Sequence, residues 1–242
     1  MQHPLMLLLV LFSLSLPAQQ VERSLLREMY QDVLHPSDPL LNGREYKYYF
    51  RPKVSSPLIP EDHAPTASVI IRNKRYENVM LLYDTYMDLL VYYNPGNLSR
   101  SGVATVSVNR YLIDEFTLQL ASGRARFRYL DFPDDQQGGL SSGFYEIVSE
   151  GEWMFIIDHN AIQKVQNGAV AYQYTTERFI ISPTAVNKIK GKKSLLNAFS
   201  DKAEEVNNYL KKAKIQVRSA DKEQIKGVIE YYTGLKQLSM NR

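Results

Sequence analysis

The longest apolar run beyond the amino terminus is residues 75–94, RYENVMLLYDTYMDLLVYYN. In its first half Val79, Leu81 and Tyr83 alternate with Met80 and Leu82. In its second half Met87, Leu89, Val91 and Tyr93 alternate with Tyr86, Asp88, Leu90 and Tyr92. Period-2 spacing with apolar residues of both parities predicts two adjacent strands, 76–83 and 86–93, covered on both faces. Asp84-Thr85 is then the turn, although it lacks the Asn-Gly or Asp-Gly of a tight hairpin. A helix is the competing reading, because Leu82, Tyr86, Leu89 and Tyr93 also fall on a helical stripe. Turn residues flank the run at Asn73-Lys74 and at Asn94-Pro95-Gly96-Asn97. Together these predict an antiparallel meander over 67–94.

The pattern on either side is similar. Short β-forming runs are expected at 46–50, 103–109, 116–120, 124–130, 144–148, 153–158, 169–174, 178–182 and 185–189. Asn167-Gly168 is the strongest turn signal between them. Residues 52–65 hold four prolines and form no regular element. Helical period replaces the strand period at both ends. Leu25, Leu26, Met29 and Val33 predict a helix over 21–35, ended by Pro36 and Pro39. After residue 190, Leu195, Leu196 and Phe199 open a helical segment. Asp201 with Glu204, and Asp221 with Gln224, are candidate reciprocal caps for two further helices. Ile225, Val228, Ile229, Tyr232 and Leu235 line one face of the last helix, and Gly234 is its candidate end. The fold class is therefore α+β: an antiparallel β sandwich or partial barrel with an N-terminal helix and a C-terminal helical segment. The expected divisions are a signal peptide (1–18), an N-terminal helix (19–40), the β domain (41–190) and a basic helical segment packed on it (191–242).

The first 18 residues change the picture of where the chain works. Residues 5–16 are apolar but short for a bilayer span, and Pro17-Ala18 before Gln19 reads as a cleavage site. The expectation is an exported protein, periplasmic or extracellular, with no transmembrane segment in its mature form. The flaws of this leader, no basic residue and a large Leu16, keep a retained anchor as the alternative. The chain has no cysteine. That excludes disulfides, thiolate chemistry, cysteine-based metal sites and a lipid-bearing cysteine, so stability has to come from the core. The net charge of +3 does not by itself call for a nucleic acid. It is uneven: residues 184–242 hold 13 Lys and Arg against 6 Asp and Glu. That end could bind an acidic surface, and a solvated helical face is the plainer reading.

The segments YENVMLLYDTYMDLLV and GFYEIV, and the tail KKSLLNAFSDK, VNNYLKKAKI and VIEYY, resemble an uncharacterised family of exported, cysteine-free proteins of the Bacteroidota. That family has a Tyr-rich β domain and a Lys-rich helical tail, and the resemblance spans residues 46–232. It implies an envelope location. It brings no activity, cofactor or site residue.

Motifs for chemistry are sparse. Residues 139–143, GLSSG, match the nucleophile-elbow pattern, but an acidic polar loop precedes them and a strand follows, where the motif needs strand then helix. Beyond the leader the histidines are His35, His63 and His159, none at metal-ligand spacing. Asp158-His159-Asn160 reads as a turn. Asp134-Asp135 reads as solvated. The candidates for a site are Tyr83, Asp84, Tyr86 and Asp88, because two acids interrupt the most apolar part of the chain. A buried carboxylate there needs a partner, and Arg72, Arg75 or a tyrosine hydroxyl could supply it. A structural hydrogen bond is the reading preferred over acid–base catalysis. No catalytic residue, metal ligand or cofactor is assigned. The leading function is a binding or interaction module of the cell envelope, with an unidentified envelope protein or ligand as partner and no nucleic acid. The alternatives are a hydrolase using Asp84 and Asp88, and a carrier with an apolar ligand inside a curved sheet.

The leader reading is checked at Ala18 and Gln19. Amino-terminal sequencing of protein from the periplasmic or extracellular fraction should begin at Gln19 or within a few residues of it. Met1 on that soluble protein contradicts the signal peptide.

Overall fold

The structure, a computed structural model, describes residues 39–41, 43–47, 55–60, 66–93, 105–132 and 139–240. The expected signal peptide and the helix over 21–35 lie outside these residues. Chain contacts divide the protein into a unit ending at Asn42 and a unit from Gly43 to Arg242. The second unit holds every strand and helix among the described residues.

Its strands are β1 (Arg44–Glu45), β2 (Leu58–Ile59), β3 (Thr66–Ile71), β4 (Lys74–Asp84), β5 (Leu89–Tyr93) and β6 (Thr105–Ser107). They continue with β7 (Ile113–Leu120), β8 (Gly123–Leu130), β9 (Gly143–Ser149), β10 (Met154–Gln166), β11 (Ala169–Ile181) and β12 (Val186–Lys188). Three helices complete it, α1 (Lys192–Ala198), α2 (Ala203–Lys212) and α3 (Lys222–Met240). The strands join one sheet in the order β1-β6-β5-β4-β3-β7-β8-β9-β10-β11-β12, with β2 beside β4, and every pairing is antiparallel. An antiparallel sheet with helices at one end of the chain is an α+β architecture.

The central run forms strands, not a helix. Leu81 pairs with Tyr92 and Asp84 with Leu89, so β4 and β5 are neighbours as the alternation predicts. The turn is longer than expected, however: it takes residues 85–88, and β5 starts at Leu89 rather than at Tyr86. The cause is Asp84, whose carboxylate captures the Tyr86 and Met87 amides, and Asp88, which takes a positive φ of 53°. Asn167 and Gly168, at φ 50° and 75°, make the primed turn that their residue types favour. Tyr46-Lys47 is not strand; β1 precedes it at Arg44–Glu45.

Alternation sorts the sheet into two faces. On β7 and β8, Phe116, Leu118, Ala125 and Phe127 are buried, while Asp114, Gln119 and Arg124 are exposed. Tyr83 joins Phe116, Phe127 and Phe144 on that face, with ring centroids 5.3–6.2 Å from it. The sheet curls around this cluster until β10 reaches the end of β4, where the Ala161 N–H donates to the Thr85 carbonyl at 3.3 Å. Residues of the same parity farther along β9–β11, Val148, Phe155, Ile157 and Ile180, pack against the helices. The opposite face carries a smaller cluster around Tyr145, Ile147, Ile156 and Phe179.

Helix α3 docks through the expected stripe: Ile225, Val228, Ile229 and Tyr232 are all buried. Its expected cap forms reciprocally. The Gln224 N–H donates to Asp221 Oδ1 at 2.8 Å, and the Asp221 N–H to Gln224 Oε1 at 3.1 Å. Asp201 does not cap α2. Its carboxylate turns to α3, taking the Tyr232 hydroxyl at 2.8 Å and Lys236 Nζ at 2.9 Å, and α2 begins after Lys202 with no side-chain cap. Gly234 does not end α3, which runs on to Met240. No proline follows to stop it, and a helical glycine costs only about 1 kcal/mol. Trp153 closes this core against Tyr232 and Phe199, at centroid distances of 4.8 and 5.4 Å.

If this stripe holds α3 to the sheet, Ile229→Ala should lower stability by about 2–5 kcal/mol. An unchanged urea midpoint would mean that the stripe is free rather than docked.

Candidate functional site

The expected candidates divide into two groups. Asp84 ends β4 with 1% of its surface exposed. Its Oδ1 accepts the Tyr86 and Met87 N–H groups at 2.9 and 3.0 Å, and its Oδ2 accepts the Tyr46 hydroxyl at 2.6 Å. Asp88 Oδ1 accepts the Tyr83 hydroxyl at 2.7 Å and the Phe144 N–H at 3.2 Å. Arg110 stands 3.7 Å from its other oxygen and also donates to the Asp88 carbonyl at 3.1 Å. The arginine partner is thus Arg110, not Arg72 or Arg75. Arg72 lies in the β3–β4 turn and Arg75 pairs with Glu77 on its own strand. Burial pushes the Asp88 carboxyl up, against the pull of Tyr83, the Phe144 amide and Arg110. Burial, then Asp88, raises the Tyr83 hydroxyl well above its ordinary value. Tyr86 is apart from these groups, half exposed and packed edge-on against Tyr172 at 5.4 Å. Both carboxylates therefore hold the turn and the aromatic core in place, as structural hydrogen-bond acceptors.

The most concentrated polar chemistry lies elsewhere, at residues that the sequence pattern marks as strand filler and turn. Asp158-His159-Asn160 is no turn: it is the middle of β10, where His159 faces inward with the parity of Phe155 and Ile157. The polar triplet breaks the apolar pattern where the pairing of β10 with β9 ends, after Ile157. Likewise the expected runs 169–174 and 178–182 are one strand, β11. Its polar middle is carried by an unbroken ladder with β10, from Met154↔Ile181 to Gln166↔Ala169.

Glu146 is buried on β9, paired with Phe127 and facing the same way as Phe144 and Val148. His159 Nε2 lies 2.7 Å from Glu146 Oε2, and Lys222 Nζ lies 2.6 Å from Oε1. Lys222 also donates to the Arg124 carbonyl at 2.9 Å. On the far side of the imidazole, Nδ1 is 2.5 Å from the Tyr174 hydroxyl. Four groups from β9, β10, β11 and α3 thus form one chain from a half-exposed phenol to a nearly buried ammonium. Phe127 presents its ring to the imidazole at 5.0 Å. Burial works to raise the Glu146 carboxyl, but the hydrogen bonds and charges of His159 and Lys222 outweigh it, and the group sits below its ordinary 4.5. The Tyr174 hydroxyl is raised far above its ordinary value, first by burial and then by Glu146. The phenol therefore keeps its proton, and the imidazole bridges it to the Glu146 carboxylate.

Carboxylate, imidazole and hydroxyl in series are the order of an acyl-transfer triad. Here the terminal oxygen is a phenol held protonated, and the carboxylate is neutralised by Lys222. The open cleft of about 260 Å³ is lined by Glu146 and Lys222 together with Arg75, Arg124, Arg126 and Glu115, but not by His159 or Tyr174. The arrangement orders and neutralises; it does not expose a nucleophile. At the GLSSG segment, Ser142 Oγ sits 2.6 Å from Asp131 Oδ1 and accepts the Phe132 N–H at 2.8 Å, and β9 follows directly. Among the described residues no three His, Asp or Glu side chains cluster to hold a metal, and no helix is long and apolar enough to cross a membrane.

Sequence parity carried a signal for this cluster. Glu146 is the one acid in the apolar run of β9, and His159 continues the inward parity of β10. No family model matches the chain, and neither does any curated protein or solved structure.

Two outcomes are expected. Asp84→Asn and Asp88→Asn should each leave stability unchanged or lower it, by about 1–3 kcal/mol for each donor left unsatisfied. A gain above about 1 kcal/mol in either would speak for a strained, functional carboxylate. Glu146, depressed in the folded state, contributes stability that is complete above its unfolded value of 4.5 and is lost as pH falls through the lower folded value. In urea titrations the midpoint should therefore fall on acidification, and fall less in Glu146→Gln than in wild type. Equal acid losses in the two proteins would remove Glu146 from the account.

Proposed function

We propose that the protein is a non-catalytic interaction module, exported to the bacterial cell envelope, and that the overhanging end of the β10–β11 hairpin is what it presents to a partner. The observation that carries this reading is a set of exposed apolar side chains, Val165 and Tyr174 on one face and Ile162 on the other, on a strand pair that few described residues cover. Among the described residues β9 pairs with β10 only as far as Ile157, and β12 with β11 only back to Phe179. Beyond those points the hairpin still shows Ile162 and Val165, 50% and 75% exposed, with Tyr174 at 44%. Tyr86 and Met87 stand beside its base, about half exposed. Lys164 is the one charged residue between His159 and Glu177. Aromatic and aliphatic side chains with few charges are the composition of an interface core.

The alternatives fit less well. A carrier needs an empty concave face, and this one is filled by Tyr83, Phe116, Phe127 and Phe144. A hydrolase built on Asp84 and Asp88 would need carboxylates that their structural donors leave free. The contact between Ala161 and Thr85 favours a partial barrel over two stacked sheets. Export rests on the apolar leader ending at Ala18, and an envelope setting on the family resemblance.

A photo-reactive residue at Val165 tests the proposal in intact cells of the source organism. It should give discrete protein adducts that the same residue at exposed Gln119 does not. Ile162→Lys with Val165→Lys should abolish the contact and shift stability by no more than about 0.5 kcal/mol. Identical adduct patterns at Val165 and Gln119 would exclude the hairpin as the interface.

A further inference from the structure

The fold assembles a second surface that the hairpin does not share. Lys190, Lys192 and Lys193 lie on the segment leading from β12 into α1. Lys211, Lys212 and Lys214 close α2, and Arg218 follows in the turn before α3. Along the sequence these are separate basic runs on separate helices. In space the Lys190–Lys193 segment meets the Arg218 turn, four residues beyond the Lys211–Lys214 run. The Arg218 side chain lies against Gly191, so that a Cβ there would stand 3.3 Å from its stem and its Nε. Arg178 fastens the same turn to β11 by donating to the carbonyls of Val217 at 2.9 Å and Ala220 at 3.1 Å. With Lys188 and Lys190, Arg178 lines an open cleft of about 380 Å³.

The acids nearby are already engaged or few. Glu177, the one acid lining that cleft, pairs with Lys188 at 2.5 Å. Asp221 caps α3, Asp201 is held by Tyr232 and Lys236, and Glu205 faces Lys202 at 3.5 Å. Lys190, Lys192, Lys193, Lys211, Lys212, Lys214 and Arg218 are all exposed, and none has an ion-pair partner among the described residues. Seven unneutralised cations on joined segments create a local positive potential that the net charge of +3 conceals. Six of the seven are lysines, point charges rather than planar forks, and none of the exposed aromatic side chains lies between residues 186 and 220. A patch without stacking platforms or guanidinium forks is poorly made for nucleotide bases. It suits a dense layer of phosphate headgroups.

We propose that this surface, Lys190–Gly191–Lys192–Lys193 with the Lys211–Arg218 turn, is a peripheral docking face for an anionic phospholipid bilayer. Binding is electrostatic, without insertion, and orients the protein at a membrane independently of what the hairpin contacts.

The full chain is sedimented with vesicles of neutral phosphatidylcholine and with vesicles containing about 30% phosphatidylglycerol. The apolar leader is common to every sample, so the difference between the two lipids reads the patch. In about 0.1 M salt the wild type should bind the anionic vesicles about tenfold more tightly, and about 0.5 M salt should abolish the difference. Lys190→Glu with Lys192→Glu and Lys193→Glu should erase the preference, while Lys74→Glu, on another hairpin, should keep it. Equal binding to the two lipids, an undiminished preference in the triple variant, or an equal loss in Lys74→Glu overturns the proposal. So does tighter binding to duplex DNA than to the anionic vesicles, which would make the patch a nucleic-acid surface.

Discussion

A carboxylate buried in a sheet has to be neutralised by groups that the fold brings to it, and Glu146 takes its two from different layers. His159 comes from β10, inside the curl of the sheet. Lys222 comes from the first turn of α3. The attraction of both overcomes the desolvation that opposes the charge, so the carboxyl is held below its ordinary range. Breaking such a pair leaves a buried charge unmatched, at about 3–5 kcal/mol, which exceeds what a surface ion pair supplies. The aromatic cluster around Phe127 and the helical core around Phe155 and Tyr232 thus meet at one charge. A chain with no disulfide has few other ways to tie two cores together.

Asp84 and Asp88 apply the same logic on a smaller scale. Each is an acid in an apolar stretch, and each is matched by donors rather than exposed. Asp84 collects two amides and a phenol, and so lengthens the turn between β4 and β5. Asp88 receives the hydroxyl of Tyr83, which lets that ring enter the core without an orphaned polar group. The turn in turn supplies the Thr85 carbonyl that meets β10. Beyond that contact Ser55 bonds the Tyr172 backbone at 2.7 and 2.8 Å and Tyr86 packs on the Tyr172 ring, while Ile162 and Val165 stay exposed.

Much of the fold was legible where local patterns had no competitor. The period-2 runs gave the meander over β3–β5 and the short strands after it, and Asn167-Gly168 gave its turn. The helical stripe and the Asp221–Gln224 cap gave α3. The failures share one cause, which is that long-range partners override local chemistry. Asp201 is a good cap in sequence, but Tyr232 and Lys236, more than thirty residues away, claim its carboxylate. Asp158-His159-Asn160 has turn composition, yet a thirteen-residue ladder with β11 holds it extended. The pairing of Arg110 with Asp88 spans a register that the sequence alone does not set. The candidates Asp84 and Asp88 were visible as acids among apolar neighbours. Glu146 offered the same signal, but its meaning depended on His159 and Lys222, separated from it by 13 and 76 positions.

The claim that one buried charge couples the sheet to the helices is tested most directly by a double-mutant cycle between Glu146 and Lys222. Lys222→Met should cost about 3 kcal/mol or more in the wild type, where it leaves the carboxylate with His159 alone. In the Glu146→Gln background the same change should cost clearly less, with a coupling of at least about 1 kcal/mol between the two sites. Equal costs in both backgrounds would mean that α3 docks through its apolar stripe alone and that Glu146 does not join the two cores.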